Sequence, residues 1–303
     1  MKLTILGSSS AIPTKERNLS AQLLEIAGHS LLLDCGEATQ FQLQRFDKKT
    51  SQIRYILISH LHGDHYFGLV GLLSTMHMLG REKDLHIYSP KGLKEIIYLQ
   101  FGESKTKLNY NLVFHIIETE NKTILFEEEA YQVFTFPLKH STETYGFLIQ
   151  EKSGERNIKK EFVQAHDIPY KWFPRIKAGE DYIDENGNIF LNKDITTAPE
   201  NPSSFAYMSD TAFLPERAAD IRGVDVLYHE ATFLEEDIEK AILRTHSTAA
   251  QAAEIARQAL VGKLIIGHFS TRYKDVDAFL TEAKQKFENV ILAEDGMSLE
   301  INA

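Results

Sequence analysis

Ser59-His60-Leu61-His62-Gly63-Asp64-His65-Tyr66-Phe67-Gly68 is the stretch whose reading decides the fold. From His60 to His65 it holds three imidazoles and one carboxylate. A short apolar run at 55–58, read as a buried strand, precedes it, and an apolar helix-forming run at 66–79 follows. The plain alternative is a polar loop whose histidines only hydrogen-bond. Imidazoles clustered at a strand end repel when charged and lose water when buried, whereas a divalent metal holds them neutral and satisfies each lone pair. Gly63 is expected to supply the tight bend that turns His62 and Asp64 toward one centre.

Outward from this stretch the same placement repeats. Apolar runs at 3–6, 30–33, 133–136, 205–208, 224–227 and 263–266 read as further buried strands. His140, Asp210, the pair His229 and Glu230, and His268 follow four of them. In open α/β sheets the C-terminal strand ends carry the site, so separate stretches of sequence converge on one crevice. His60, His62, Asp64, His65, His140, Asp210 and His268 are too many for one tetrahedral zinc. Two ions about 3.5–4 Å apart, sharing one carboxylate, would use them all. Imidazole ligation without thiolates favours zinc, with manganese and iron as the other candidates. The reaction class that follows is hydrolysis at a phosphoryl or acyl centre.

Helix-forming stretches at 66–79, 91–101, 248–260 and 276–287 alternate with the strands, and Thr248 with Gln251 spells a capping box. That alternation predicts a layered α/β protein. The rhythm breaks at 151–203, which is polar and rich in glycine and proline; Asp184 to Asn188 reads there as a hairpin turn. We read a single domain over 1–303 with a protruding hairpin arm inserted at about 151–203, whose polar chain is expected to form no core of its own.

The chain of 303 residues carries 33 basic and 43 acidic side chains, a net charge of -10, which disfavours non-specific nucleic-acid binding. Charge is unevenly placed. Lys152, Arg156, Lys159, Lys160, Lys171, Arg175 and Lys177 outnumber the acids of 151–177, whereas Glu180, Asp181, Asp184, Glu185, Asp194 and Glu200 face only Lys193 beyond it. One cysteine, Cys35, excludes an internal disulfide and multi-thiolate zinc. The short apolar stretch after Lys2 is no secretory signal, and the expected compartment is the cytoplasm.

These residues carry a family resemblance. His-x-His-x-Asp-His with a later His, Asp and His resembles the metallo-β-lactamase fold, a four-layer αββα sandwich with a two-zinc site. Within it the chain resembles the ribonuclease Z family, endonucleases that remove the 3′ trailer of tRNA precursors. The motifs are GSSSAIPTKERNLSA at 7–21, LLLDCGEATQFQ at 31–42, SHLHGDHYFG at 59–68, SDT at 209–211, HEAT at 229–232, HST at 246–248 and HFSTRY at 268–273. The resemblance implies that His60, His62 and His140 hold one zinc, that Asp64, His65 and His268 hold the other, and that Asp210 bridges. It implies further that Asp64 orients the attacking water and that Glu230 and His246 together protonate the departing 3′ oxygen, as a poor alkoxide leaving group requires. Arg17, Ser270 and Arg272 would contact substrate, and Lys171, Arg175 and Lys177 of the arm would grip tRNA. Two zinc ions per chain, a tRNA precursor as partner and a homodimer complete the implication. The arm departs from the family pattern, reading IPYKWFPRIK at 168–177 in place of a Gly-Pro motif. A small-substrate hydrolase of the same fold, a phosphodiesterase, arylsulfatase or lactonase, is the alternative, and the net charge favours it.

Overall fold

The computed structural model describes residues 1–199 and 201–301; Glu200, Asn302 and Ala303 lie outside the described residues. Strands are numbered along the chain. Lys2–Gly7 (β1), Ala21–Ile26 (β2), His29–Leu33 (β3), Ile53–Leu57 (β4), Leu85–Ser89 (β5), Leu112–Ile116 (β6) and Ser298–Glu300 (β18) form one seven-stranded sheet, ordered β18-β1-β2-β3-β4-β5-β6. Thr123–Glu127 (β7), Tyr131–Lys139 (β8), Glu143–Glu151 (β9), Ser204–Met208 (β14), Val226–Glu230 (β15), Lys263–Gly267 (β16) and Val290–Leu292 (β17) form the second, ordered β17-β16-β15-β14-β9-β8-β7. The sheets face each other: Tyr55 of β4 stacks on Phe126 of β7 at 4.2 Å.

Each outer face is covered by helices, which gives the expected four layers. Leu69–Met78 and Leu93–Glu103 bury Leu72, Leu73, Met76, Leu93 and Ile97 against Leu32, Ile56 and Ile87. Ala249–Ala259 and Asp277–Lys284 cover Leu227, Leu264 and Ile266, and the alanine face of the former lets it lie close to the sheet. Each fully buried leucine contributes about 1.5–3 kcal/mol. The capping box at Thr248 forms as the sequence spells it.

Two expectations shift. The helix read at 66–79 is two pieces, Gly63–Tyr66 and Leu69–Met78. The break is at Gly68, where a Cβ would lie 2.0 Å from the Gly36 carbonyl oxygen, so two backbones meet where only glycine fits. Gly63 itself opens a helix and needs no left-handed bend.

Contacts divide the described chain into two units, 1–127, 132–150 and 203–301 in the first and 128–131 with the described part of 151–202 in the second. The second contains Asn157–Ile158 (β10), Tyr182–Ile183 (β11), Ile189–Phe190 (β12) and Thr196–Thr197 (β13), with short helices Lys160–Ala165 and Phe173–Lys177. β11 and β12 pair across the expected 184–188 turn. The expectation that it lacks a core is corrected: Ile168, Ile176, Tyr182 and Ile195 are buried together, with Phe162, Trp172, Phe173 and Phe190 packed against them. The apolar residues are spaced too irregularly to show as a periodic pattern, and short helices and the paired β11 and β12 bring them together.

Candidate metal centre and active site

All seven residues expected at the centre converge in the first unit. His60, His62, His140 and Asp210 offer ligand atoms within 4.8 Å of one another, and so do Asp64, His65 and His268. Asp210 joins the sets: Oδ1 lies 3.3 Å from both His65 Nε2 and His268 Nε2, and Oδ2 lies 3.7 Å from His60 Nε2 and His140 Nε2.

Why these rings point inward is visible in what their other nitrogens do. His65 Nδ1 donates to Asp34 Oδ2 at 2.8 Å. His140 Nδ1 donates to the Thr245 carbonyl at 2.9 Å. Ser59 Oγ donates to Asp34 and so accepts from His60 Nδ1 at 3.0 Å, while Thr232 Oγ1 donates to Glu230 and accepts from His268 Nδ1 at 2.9 Å. As a neutral imidazole each ring therefore turns a bare Nε2 toward the carboxylates, the arrangement by which outer partners fix a metal ligand's tautomer. His65 Nε2 and Asp210 Oδ1 are buried with no well-formed hydrogen bond, and an unsatisfied buried polar pair calls for a group between them. The donor set fits metal ions. Cys35 offers no alternative ligand: burial pushes its thiol up to about 12.

Charge on these side chains follows the same geometry. Burial holds His60 well below the usual imidazole range, and His65 adds to the effect. Burial works against charge on His65, yet Asp210 and Asp34 outweigh it and hold its proton well above that range. Burial also opposes ionisation of Asp64, but His65 and His268 keep that carboxyl far below the carboxylate range. The backbone is strained in step: Asp34, Thr245 and His268 have φ of 57°, 54° and 61°. Left-handed backbone at such residues costs about 1–3 kcal/mol each and clusters at functional sites.

Beside the cluster, His246 Nδ1 lies 2.9 Å from Glu230 Oε1, and Glu230 also accepts from the Thr211, Thr232 and Ser247 amides. Burial alone would lower the His246 pKa; Glu230, then Asp210, lift it to about 9. A pKa raised above its unfolded value of 6.5 means that the pair's stabilisation is complete below that pH and is lost as pH rises through about 9. A mouth of about 330 Å³, lined by His62, Asp64, His140, Asp210, His246 and His268, opens over these groups.

His229 stays outside. The strand read at 224–227 is observed at Val226–Glu230, so His229 lies within β15; its ring is buried and Nε2 finds no partner. Three residues expected to contact substrate have partners within the chain. Arg17 donates to Ser8 Oγ and the Ala293 carbonyl and lies over the Phe269 ring; Arg272 lies 3.6 Å from Asp237; Arg175 pairs with Glu180 at 2.6 Å and stacks on Trp172. Lys177 lies 3.9 Å from Glu155, Lys171 is exposed, and Ser270 is half-buried.

Sequence reasoning assigned no role to Asp34. Fully buried, it accepts from Ser59, His65 and Tyr207, and it follows β3 just as His268 follows β16, so the strand-end rule applied to 30–33 would have found it. Asp34→Asn is expected to weaken metal binding about 10–100-fold, because the amide cannot accept from every donor. Competition against a chelator measures this, and unchanged affinity would separate Asp34 from the centre.

Residues 1–167 match the family model described as "Anti-Pycsar protein Apyc1", a match that ends before Asp210, Glu230, His246 and His268. The chain is 41% identical over 300 residues to the ribonuclease Z of Bacteroides fragilis, covering 99% of both chains. It is 43% identical to that of Cytophaga hutchinsonii, covering 99% of this chain and 96% of the relative. The structure resembles human tRNase Z, short form, with a TM-score of 0.72 and 28% identity over 99% of each chain. A metallo-β-lactamase fold protein from Bacillus subtilis, at 18% identity, a TM-score of 0.69 and 98% coverage of each chain, shares the fold. The first-half match spans only part of the site, whereas the full-length relatives span every strand end that contributes to it: the chain belongs to the ribonuclease Z family of metallo-β-lactamase-fold proteins.

Proposed function

We propose that this chain is the endoribonuclease that removes the 3′ trailer from tRNA precursors, leaving a tRNA 3′-hydroxyl. The observation that carries the reading is the Glu230–His246 pair at 2.9 Å beside the paired ligand sets, an acid set next to a hydrolytic centre. In the proposed site His60, His62 and His140 hold one zinc, Asp64, His65 and His268 hold a second, and Asp210 lies between. Zinc ions, when bound there, supply charge stabilisation at the phosphoryl oxygens and a water acidic near neutral pH. Asp64 orients the attacking water, whose proton, acidic near neutral pH, passes to solvent. As the P–O3′ bond breaks, His246, held protonated by Glu230, gives its proton to the tRNA 3′ oxygen, and the trailer leaves with the phosphate. The proposal places the enzyme in the cytoplasm as a homodimer; no helix among the described residues is long and apolar enough to cross a membrane.

The test is a denaturing gel of a 3′-extended tRNA precursor incubated with purified protein, with and without chelator. One chelator-sensitive cut releasing mature-length tRNA is expected; an intact precursor beside rapid hydrolysis of a small phosphodiester would favour the small-substrate reading, which the net charge of -10 supports.

The arm carries a separate expectation. Neutralising Lys171, Arg175 and Lys177 together should weaken precursor binding and reduce its log–log salt slope by about one unit per lost phosphate contact. Arg175 and Lys177 already have acidic neighbours, so Lys171 should contribute most. Hydrolysis of bis(p-nitrophenyl) phosphate should be unchanged; an unaltered salt slope would remove the arm from tRNA binding.

A further inference from the structure

We propose that Asp295 is a positioning residue that keeps the Asp64 carboxylate in place through the 8–18 loop. The inference rests on the reading of Asp64 as a ligand and water-orienting group. Ala11 N–H donates to Asp64 Oδ2 at 2.8 Å, the oxygen that lies 3.4 Å from His268 Nε2 and 3.5 Å from His65 Nε2. That amide reaches Asp64 because Ala11 has φ of 55°, a conformation an alanine keeps only when its surroundings enforce it.

Beside Ala11 itself, Ser9 Oγ donates to the Ile12 carbonyl at 2.8 Å and Ser10 N–H to the Phe269 carbonyl at 3.1 Å, and the base of the loop holds these residues in place. Asp295 Oδ1 accepts from Ser8 Oγ at 2.8 Å, and Oδ2 accepts from Asn18 N at 2.7 Å and Asn18 Nδ2 at 3.0 Å, so one carboxylate ties both ends. Gln42 Nε2 braces the same oxygen at 3.2 Å and the Leu6 carbonyl at 2.7 Å. Ser9 N–H closes the loop onto the Asn18 carbonyl at 2.9 Å, and Arg17 adds its bond to Ser8. Arg17 and Asp295 thus act together at the loop base, and Ala11 is where that bracing meets the centre.

Asp295→Asn tests this, because an amide oxygen cannot replace two carboxylate oxygens and leaves donors of Ser8 or Asn18 unpaired. The cobalt-substituted variant should retain its metal content but show a shifted visible spectrum. Its kcat should fall about 10–100-fold on both a tRNA precursor and bis(p-nitrophenyl) phosphate, with KM for the precursor unchanged. Ser8→Ala, which removes one donor and leaves the carboxylate in place, should move both readouts the same way by less, and it keeps the test open if the first variant unfolds. A wild-type cobalt spectrum with wild-type kcat in both variants overturns the proposal, as does a loss confined to KM for the precursor. Asp64→Ala with an unchanged cobalt spectrum would instead overturn the assignment of Asp64, whatever Asp295 does.

Discussion

Asp210→Ala is expected to lower precursor cleavage by about 10⁴-fold or more and to leave fewer than two metal ions per chain. Asp210 is the carboxylate whose two oxygens face the two ligand sets, 3.3 Å from His65 and His268 on one side and 3.7 Å from His60 and His140 on the other. Removing it takes a ligand from both sets and leaves the imidazoles to repel one another. A catalytic metal contributes several kcal/mol, and each 1.36 kcal/mol is tenfold in rate, so about 5.5 kcal/mol gives 10⁴. Elemental analysis beside single-turnover cleavage measures both effects. Two ions and full activity in the variant would show that the ligand assignment is wrong.

His246→Ala should keep its metals and still lose about 10²–10⁴ in kcat on the precursor, the span of a general acid. The ring is not needed by either principal ligand set; what it has is Glu230 at 2.9 Å and a pKa lifted to about 9. The loss should shrink on bis(p-nitrophenyl) phosphate, whose leaving group departs without a proton. In the native chain kcat should fall as pH rises through about 9, and Glu230→Gln should move that limb to lower pH by removing the partner that raises His246. Equal losses on both substrates, or an alkaline limb indifferent to Glu230, would make His246 structural.

How much of this was legible in the sequence differs by element. Strands whose apolar run is unbroken announce themselves: Leu31, Leu32 and Leu33 are all inaccessible, as are Leu264, Ile265 and Ile266. β6 and β7 are only half-buried, so their mixed composition carries no such signal, and β2, β5 and β9 are buried yet interrupted by Gln22 and Glu25, by His86 and by Gly146; none of the five was expected. The centre was legible because metal-type residues recur at strand ends. Its supporting shell was less so, since Asp34, Ser59 and Thr232 are ordinary residue types whose importance lies in which nitrogen they hold. The engagement of Arg17 and Arg272 was beyond sequence reasoning, because Ala293 and Asp237 become their neighbours only in the fold, whereas Arg175 meets Trp172 and Glu180 within five residues of chain.

The register between β9 and β14 has an evolutionary and practical consequence. Gln150 and Ser204 are paired across those antiparallel strands, so the chain leaves the sheet and re-enters it at adjacent positions. Topologically, 151–203 is an overgrown hairpin loop, and lengthening such a loop costs only about 0.6 kcal/mol per doubling. Lineages could enlarge, trim or exchange the segment without renegotiating a strand pairing of either seven-stranded sheet. A protein engineer can do likewise: a short turn joining Gln150 to Ser204 would give a miniature chain with its chemistry kept, onto which other recognition modules could be grafted.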